Sequence, residues 1–229
     1  MANRYVDFVS DKDFLECVKW VCDAYPADPT KVDMEELQRN TLDPFKMVFD
    51  LSNSSSSVKE WIKTENIRQQ DKTINNKIGE FHQKLLGKVD GWQDLGTGDD
   101  SRVDLRKEDN TIFIELKNKF NTMNADATKE CRNKLELAIR KHPKATAYWA
   151  YIISLNGSSG ESTWTFAKDD NPRIRKIWGA RVYKLVTGDA NALEKTWHAL
   201  PKAVHDLTRR DIHFSTSEVK AFFQTAFKN

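Results

Sequence analysis

The stretch DDSRVDLRKEDNTIFIELK, residues 99–117, decides how this chain is read. Glu108-Asp109-Asn110 has the composition of a tight turn and separates two runs of strand character. The second run, Thr111 to Lys117, is β-branched, aliphatic and aromatic except for the charged pair at its end. Side chains alternate between the two faces of a strand, so Ile112, Ile114 and Leu116 point one way and Phe113, Glu115 and Lys117 the other. A hairpin brings Asp104, from the preceding strand, toward the same point. Two carboxylates and a lysine converging suit the binding of a divalent metal and the activation of a water. Asp104 and Glu115 would be the metal ligands, the Leu116 carbonyl could add a backbone oxygen, and Lys117 would orient or deprotonate the water and offset phosphate charge. Asp99 and Asp100 could compete for the ion, but their Gly-rich setting (Gly96, Gly98) favours a loop.

Outward from the hairpin, the N-terminal third reads as helices. Ser10 or Asp11 caps one through Phe14, Leu15, Val18, Val21 and Cys22. A second includes Met34 and Leu37, and Asp43-Pro44 supplies the cap and first position of a third. Residues 52–57 form a polar connection. Val58 to about Gly87 is helical again, in one or two pieces, with Ile74, Ile78, Phe81 and Leu85 forming an apolar stripe and Glu80 at its edge.

After Lys117, a helix from about Ala125 to His142 ends at Pro143, and Ala145 to Leu155 reads as a strand buried on both faces. Residues 162–167 and 173–178 are the next strands. A short helix ends at Gly188, another runs through Leu193, Trp197 and Leu200 with Pro201 kinking or restarting it, and a last one spans 217–227. The order is helices, then β-β-α-β-β-(β)-α, which specifies an α/β mixed sheet with helices packed on it.

Composition narrows little. With 36 Lys and Arg against 34 Asp and Glu, the net charge is +2, so a DNA-binding face must be local rather than global. Three cysteines lack zinc spacing and read as reduced, and the five histidines form no catalytic set. No apolar run is long enough to span a bilayer and the N-terminus lacks a signal-peptide pattern, which points to the cytoplasm and away from a membrane.

Val103-Asp104, ten residues and then Glu115-Leu116-Lys117, on a hairpin followed by a helix and a buried strand, resembles the PD-(D/E)XK nuclease superfamily. The position that names the motif's proline is Val103 here; it carries no chemistry. The runs 76–87, 104–113 and 117–124 resemble type II restriction endonucleases, in particular those cutting GGNCC or GGWCC sites, and the likeness extends over about residues 74–190. The resemblance implies a restriction-endonuclease-like core over residues 74–229, a mixed central sheet flanked by helices, with an N-terminal helical region over 1–73 packed on it. It implies Mg²⁺ as cofactor, double-stranded DNA as substrate, cuts that leave 5′-phosphates, and a homodimer acting beside a cognate DNA methyltransferase that is not a physical partner. A glutamate on the helix before the hairpin often completes the metal site in this family, and Glu80 stands there; the plainer reading is an exposed helical glutamate.

Asn118, Lys119, Asn121 and Asn124 are candidates for phosphate or base-edge contacts, although Asn124 could equally cap the next helix. Arg173, Arg175, Lys176 and Arg181 make the C-terminal third locally basic and are further DNA-binding candidates, unless they form a solvated face. Two other readings remain open: a structure-specific or repair nuclease on the same core, and a non-catalytic DNA-binding protein.

Overall fold

In the computed structural model, residues 3–28, 31–32, 37, 40, 42–96, 103–211 and 214–227 are described. Met34, Gly98, Asp99 and Asp100 lie outside them. The chain divides into two compact units, one of Trp20–Ile78 and one of Met1–Lys19 with Gly79–Asn229.

The smaller unit is helical. Asp43 caps α1 (Pro44–Ser54) by accepting from the Phe45 and Lys46 amides at 2.9 and 3.1 Å, with Pro44 at the first position, where its missing N–H costs nothing. Ser55 turns into the left-handed region at φ 54°, and Ser57 and Glu60 cap the following helix reciprocally. That helix, α2 (Val58–Gly87), runs 30 residues without a break and so is one piece. It holds no proline, and its only internal glycine, Gly79, falls beyond the smaller unit.

The larger unit takes in α3 (Asp11–Cys22) as far as Lys19; there the Ser10 hydroxyl accepts from the Asp13 amide at 3.1 Å and Phe14, Cys17 and Val18 are buried. Six strands form one sheet: β1 (Trp92–Asp94), β2 (Leu105–Lys107), β3 (Ile112–Lys119), β4 (Thr146–Ile153), β5 (Gly160–Thr163) and β6 (Ile174–Trp178), in the order β1-β2-β3-β4-β6-β5. The expected hairpin is β2–β3, antiparallel with Leu105 opposite Ile114. The turn sits at Asp109-Asn110, where Asn110 takes φ 58° and Asp109 accepts from the Thr111 amide.

β4 is the centre, parallel to β3 on one side and β6 on the other, which accounts for its nearly unbroken apolar sequence. β1 extends the sheet beyond the hairpin; three residues beside Gly91 and Gly96 are too few to show a period. β5 is displaced from the expected 162–167 to Gly160–Thr163. A side chain at Gly160 would meet the Trp178 ring at 2.6 Å, so this glycine allows the close pairing, and beyond Thr163 the chain turns through Ala167 and Lys168, both at positive φ.

One face of the sheet is covered by α4 (Ala125–Lys141), whose Cys131, Leu135, Ala138 and Ile139 pack with Phe113, Ala147 and Ile174. Phe113 and Leu135 are fully buried, each contributing about 1.5–3 kcal/mol. On the other face, α2 closes at Gly79, against Asn118, and at Gly87, where a Cβ would collide with the Asp94 backbone nitrogen at 2.7 Å. There α5 (Ala180–Thr187) meets α2 through Tyr183, whose hydroxyl lies 2.7 Å from His82 Nδ1. Burial pushes that imidazole down to about 4, so the pair is neutral.

α6 (Ala192–Thr208) continues through Pro201, which removes the bond to the Trp197 carbonyl without ending the helix, because Leu193, Thr196, Ala199 and Ala203 hold it by burial. α7 (Thr216–Ala226) starts at a Ser215/Glu218 capping box and ends the chain's described structure.

Candidate active site

The site forms where β2 leaves β3. The Asp104 amide donates to the Ile114 carbonyl at 3.0 Å, the last backbone bond between the hairpin's arms among the described residues. One step on, the Asp104 side chain replaces the strand: its Oδ2 accepts from the Leu116 amide at 2.6 Å. A strand residue directs its N–H and C=O to the same side, so the Leu116 carbonyl faces the edge where the Asp104 carboxylate sits.

Glu115 and Lys117 project from the α4 face, as their spacing requires. Lys117 Nζ is 2.9 Å from Glu115 Oε1 and 3.8 Å from Asp104 Oδ2, which puts one ammonium between two carboxylates. Glu115 is 3% exposed, and its second oxygen, Oε2, is buried with no hydrogen-bond partner among the described residues. A fourth charge, unforeseen from the sequence, completes the set: Lys134 Nζ, from α4, is 3.0 Å from Glu115 Oε1. In sequence it is one more helical lysine; its place three residues after buried Cys131 and beside buried Leu135 is the only hint that it borders the sheet-facing stripe.

Burial, and then the Glu115 charge, push the Asp104 carboxyl up to about 6, against the pull of Lys117 and the Leu116 amide. Burial lowers the Lys117 ammonium, but Asp104 and Glu115 outweigh it and hold it above its ordinary value. Cys131, beneath them, is driven by burial up to about 12 and stays a thiol.

Among the described residues, no group of three or more His, Cys, Asp and Glu side chains is placed to hold a metal. The structure therefore does not bring Glu80 into a cluster with Asp104 and Glu115. Glu80 is half-buried on α2, next to Gly79, which meets Asn118 on the sheet face opposite Lys117. The two carboxylates by themselves still fit a hard cation. They are oxygen donors, one buried and one half-buried, that repel each other, and Glu115 Oε2 has no partner among the described residues.

The expected DNA-binding residues are dispersed. Lys119 and Asn121 are exposed at the end of β3, and Asn118 is half-buried with its carbonyl oxygen unpartnered. Asn124 caps α4 by accepting from the Ala127 amide at 2.8 Å. Arg173 spends one guanidinium nitrogen on the carbonyls of Ile139, Pro143 and Ala145. Arg175 pairs with Glu161, and Lys176 lies on the other face of β6, 5.1 Å from the centre of the Trp149 ring. Arg181 is exposed. These four form no single basic face.

The sequence profile of the Eco47II restriction endonuclease family matches residues 6–209. The chain is 34% identical to the type II restriction enzyme Sau96I of Staphylococcus aureus over 216 residues, covering 90% of this chain and 82% of that one. It is 36% identical to the type II restriction enzyme Eco47II of Escherichia coli over 213 residues, 87% of this chain and 86% of that one. The likeness thus includes most of the N-terminal helices, beyond the span in which sequence alone showed it.

Proposed function

Because this chain belongs to the Eco47II restriction endonuclease family and is a site-specific deoxyribonuclease, we propose that its Asp104–Glu115–Lys117 cluster carries out Mg²⁺-dependent hydrolysis of both strands of DNA. The observation that carries this reading is Lys117 shared between half-buried Asp104 and buried Glu115, whose Oε2 has no hydrogen-bond partner among the described residues. Asp104, Glu115 and the Leu116 carbonyl would hold the ion. When bound, it supplies charge for the phosphate and lowers the pKa of a water. No third carboxylate is required of the protein, since Mg²⁺ usually keeps several waters of its own.

The chain's residues then do the following. Asp104 and Glu115 supply the oxygen donors, and Asp104 is itself fixed by the Leu116 amide. Lys117 donates hydrogen bonds to the attacking water or the phosphate and balances the charge that builds up in the transition state. The water attacks phosphorus, the bond to the 3′-oxygen breaks, and a 5′-phosphate and a 3′-hydroxyl result. Lys119 and Asn121 contact DNA beside the site, with Arg181 as a further exposed cation.

The recognition site in this reading is short and near-palindromic, of the GGNCC or GGWCC type that the sequence resembles. A two-fold site calls for two active sites related by two-fold symmetry, hence a homodimer on DNA. A methyltransferase protecting the same site would accompany it in the cytoplasm; no helix among the described residues is long and apolar enough to cross a membrane.

The test is plasmid digestion with Mg²⁺ and with chelator. Discrete, metal-dependent fragments with 5′-phosphate ends are expected. Lys117→Ala is expected to bind DNA without cutting it. Cutting by Lys117→Ala at the wild-type rate would show that the chemistry lies elsewhere.

A further inference from the structure

Lys134 stands in the site without belonging to the hairpin. Its Nζ and that of Lys117 both lie on Glu115 Oε1, at 3.0 and 2.9 Å. The side chains of Lys134 and Lys117 are 22% and 29% exposed, and that of Glu115 4%. Two ammonium donors saturate that oxygen, so the partnerless Oε2 is the atom left for another ligand. With Asp104 and Glu115 against Lys117 and Lys134, the four charges sum to zero before an ion or a phosphate arrives.

The two lysines are not equivalent. Lys117 also faces Asp104, at 3.8 Å, whereas Lys134 comes from the helix layer and is within ion-pairing distance of Glu115 only, among the described residues. A lysine that must turn toward water or phosphate has to loosen its hold on Glu115. If it were the only cation there, each such departure would leave a buried carboxylate unpaired, and burial strongly opposes that.

Resting on the catalytic reading above, we propose that Lys134 is a positioning residue that keeps Glu115 Oε1 occupied while Lys117 engages the substrate, so that Oε2 keeps its aim. Lys134 need not touch DNA, water or metal for this. Its effect falls on the rate of the bound complex rather than on DNA affinity.

Lys134→Met and Lys134→Arg are compared with Lys117→Met, reading the single-turnover cleavage rate at saturating duplex and the DNA dissociation constant without metal. For Lys134→Met the rate is expected to fall about 10–100-fold, as for other residues that orient a ligand, with metal-free DNA affinity unchanged. Lys134→Arg should recover most of the rate, since it restores a cation on Oε1.

An unchanged rate in Lys134→Met overturns the proposal. So does lost DNA affinity with the saturated rate intact, which would make Lys134 a phosphate contact, and so does Arg performing no better than Met. If Lys134→Met does not fold, Lys134→Gln replaces it under the same criteria. Lys117→Met distinguishes the two levels. If it is inactive while Lys134→Met cuts normally, only the role of Lys134 fails; if it cuts normally, the catalytic reading fails too.

Discussion

Strands β3 and β6 flank the same central strand, and each carries a run of charged residues, yet the two runs meet different fates. On β3, Glu115 and Lys117 are two apart, share a face, and converge with Asp104 and Lys134 on one buried point. On β6, Arg175 and Lys176 are adjacent and point to opposite faces, and Arg173, just before the strand, ties down three carbonyls. The same density of charge makes a cooperative site in one strand and separate structural contacts in the other. What differs is spacing against a period of two.

That contrast can be broken most severely at β3. If the proposed site is right, Glu115→Gln removes the charge that would hold the ion and that pairs with both lysines, and cleavage should fall by about three orders of magnitude or more, some 4 kcal/mol of transition-state stabilisation. Single-turnover assays read the loss, and gel shifts should still show DNA bound. A rate within tenfold of wild type would dissolve the distinction between the strands.

The β6 side should instead answer in stability. Arg132, 1% exposed, holds the β5–β6 connection through the Trp164 carbonyl and Asp169, and also pairs with Glu136. Arg132→Met is expected to cost about 1–3 kcal/mol by urea denaturation, since it leaves the buried Trp164 carbonyl without its donor, whereas Glu136 and Asp169 are open enough to be solvated.

Next comes a pH effect. Asp104 has a folded value of about 6 against an ordinary 3.8, so the folded chain binds the extra proton between those values. Metal-free stability is therefore lost as pH rises from about 4 to about 6, by roughly 3 kcal/mol for a shift of this size. Asp104→Asn should abolish that component, so that its stability relative to wild type improves between pH 4 and pH 7. Parallel denaturation curves at the two pH values would contradict it.

The smaller effects belong to β6. Arg173→Ala should cost about 1–3 kcal/mol by leaving carbonyls unsatisfied, with no change in DNA affinity. Arg175→Gln, which breaks a half-exposed pair with Glu161, should cost under about 1 kcal/mol. If either variant weakened DNA binding strongly, β6 would have to be counted as part of the nucleic-acid surface.

Much of this was legible beforehand because the signals are local. Asp43-Pro44, the Asp109-Asn110 turn and the apolar run of β4 each specify their conformation within a few residues, and all three stand where expected. Glu80 shows where local reading stops. Its position on the helix was readable, but whether that helix turns it toward Asp104 depends on how Gly79 seats against Asn118. Asn124 was undecidable between base contact and cap until the α4 amides were seen to claim it.

The sequence by itself determined the hairpin, the face on which Glu115 and Lys117 sit, the order of most helices and strands, and the kinship to restriction endonucleases. These depend on periodicity, capping and motif spacing, which act over a few residues. Only the tertiary structure decided the strand order β1-β2-β3-β4-β6-β5, the single unbroken α2, the scattering of the basic residues and the second lysine on Glu115. Each of those turns on which distant segments pack together. The Lys134–Glu115 contact, between residues 19 apart on different layers, forms because burying the Cys131–Leu135–Ala138 stripe on the sheet carries Lys134 to Glu115.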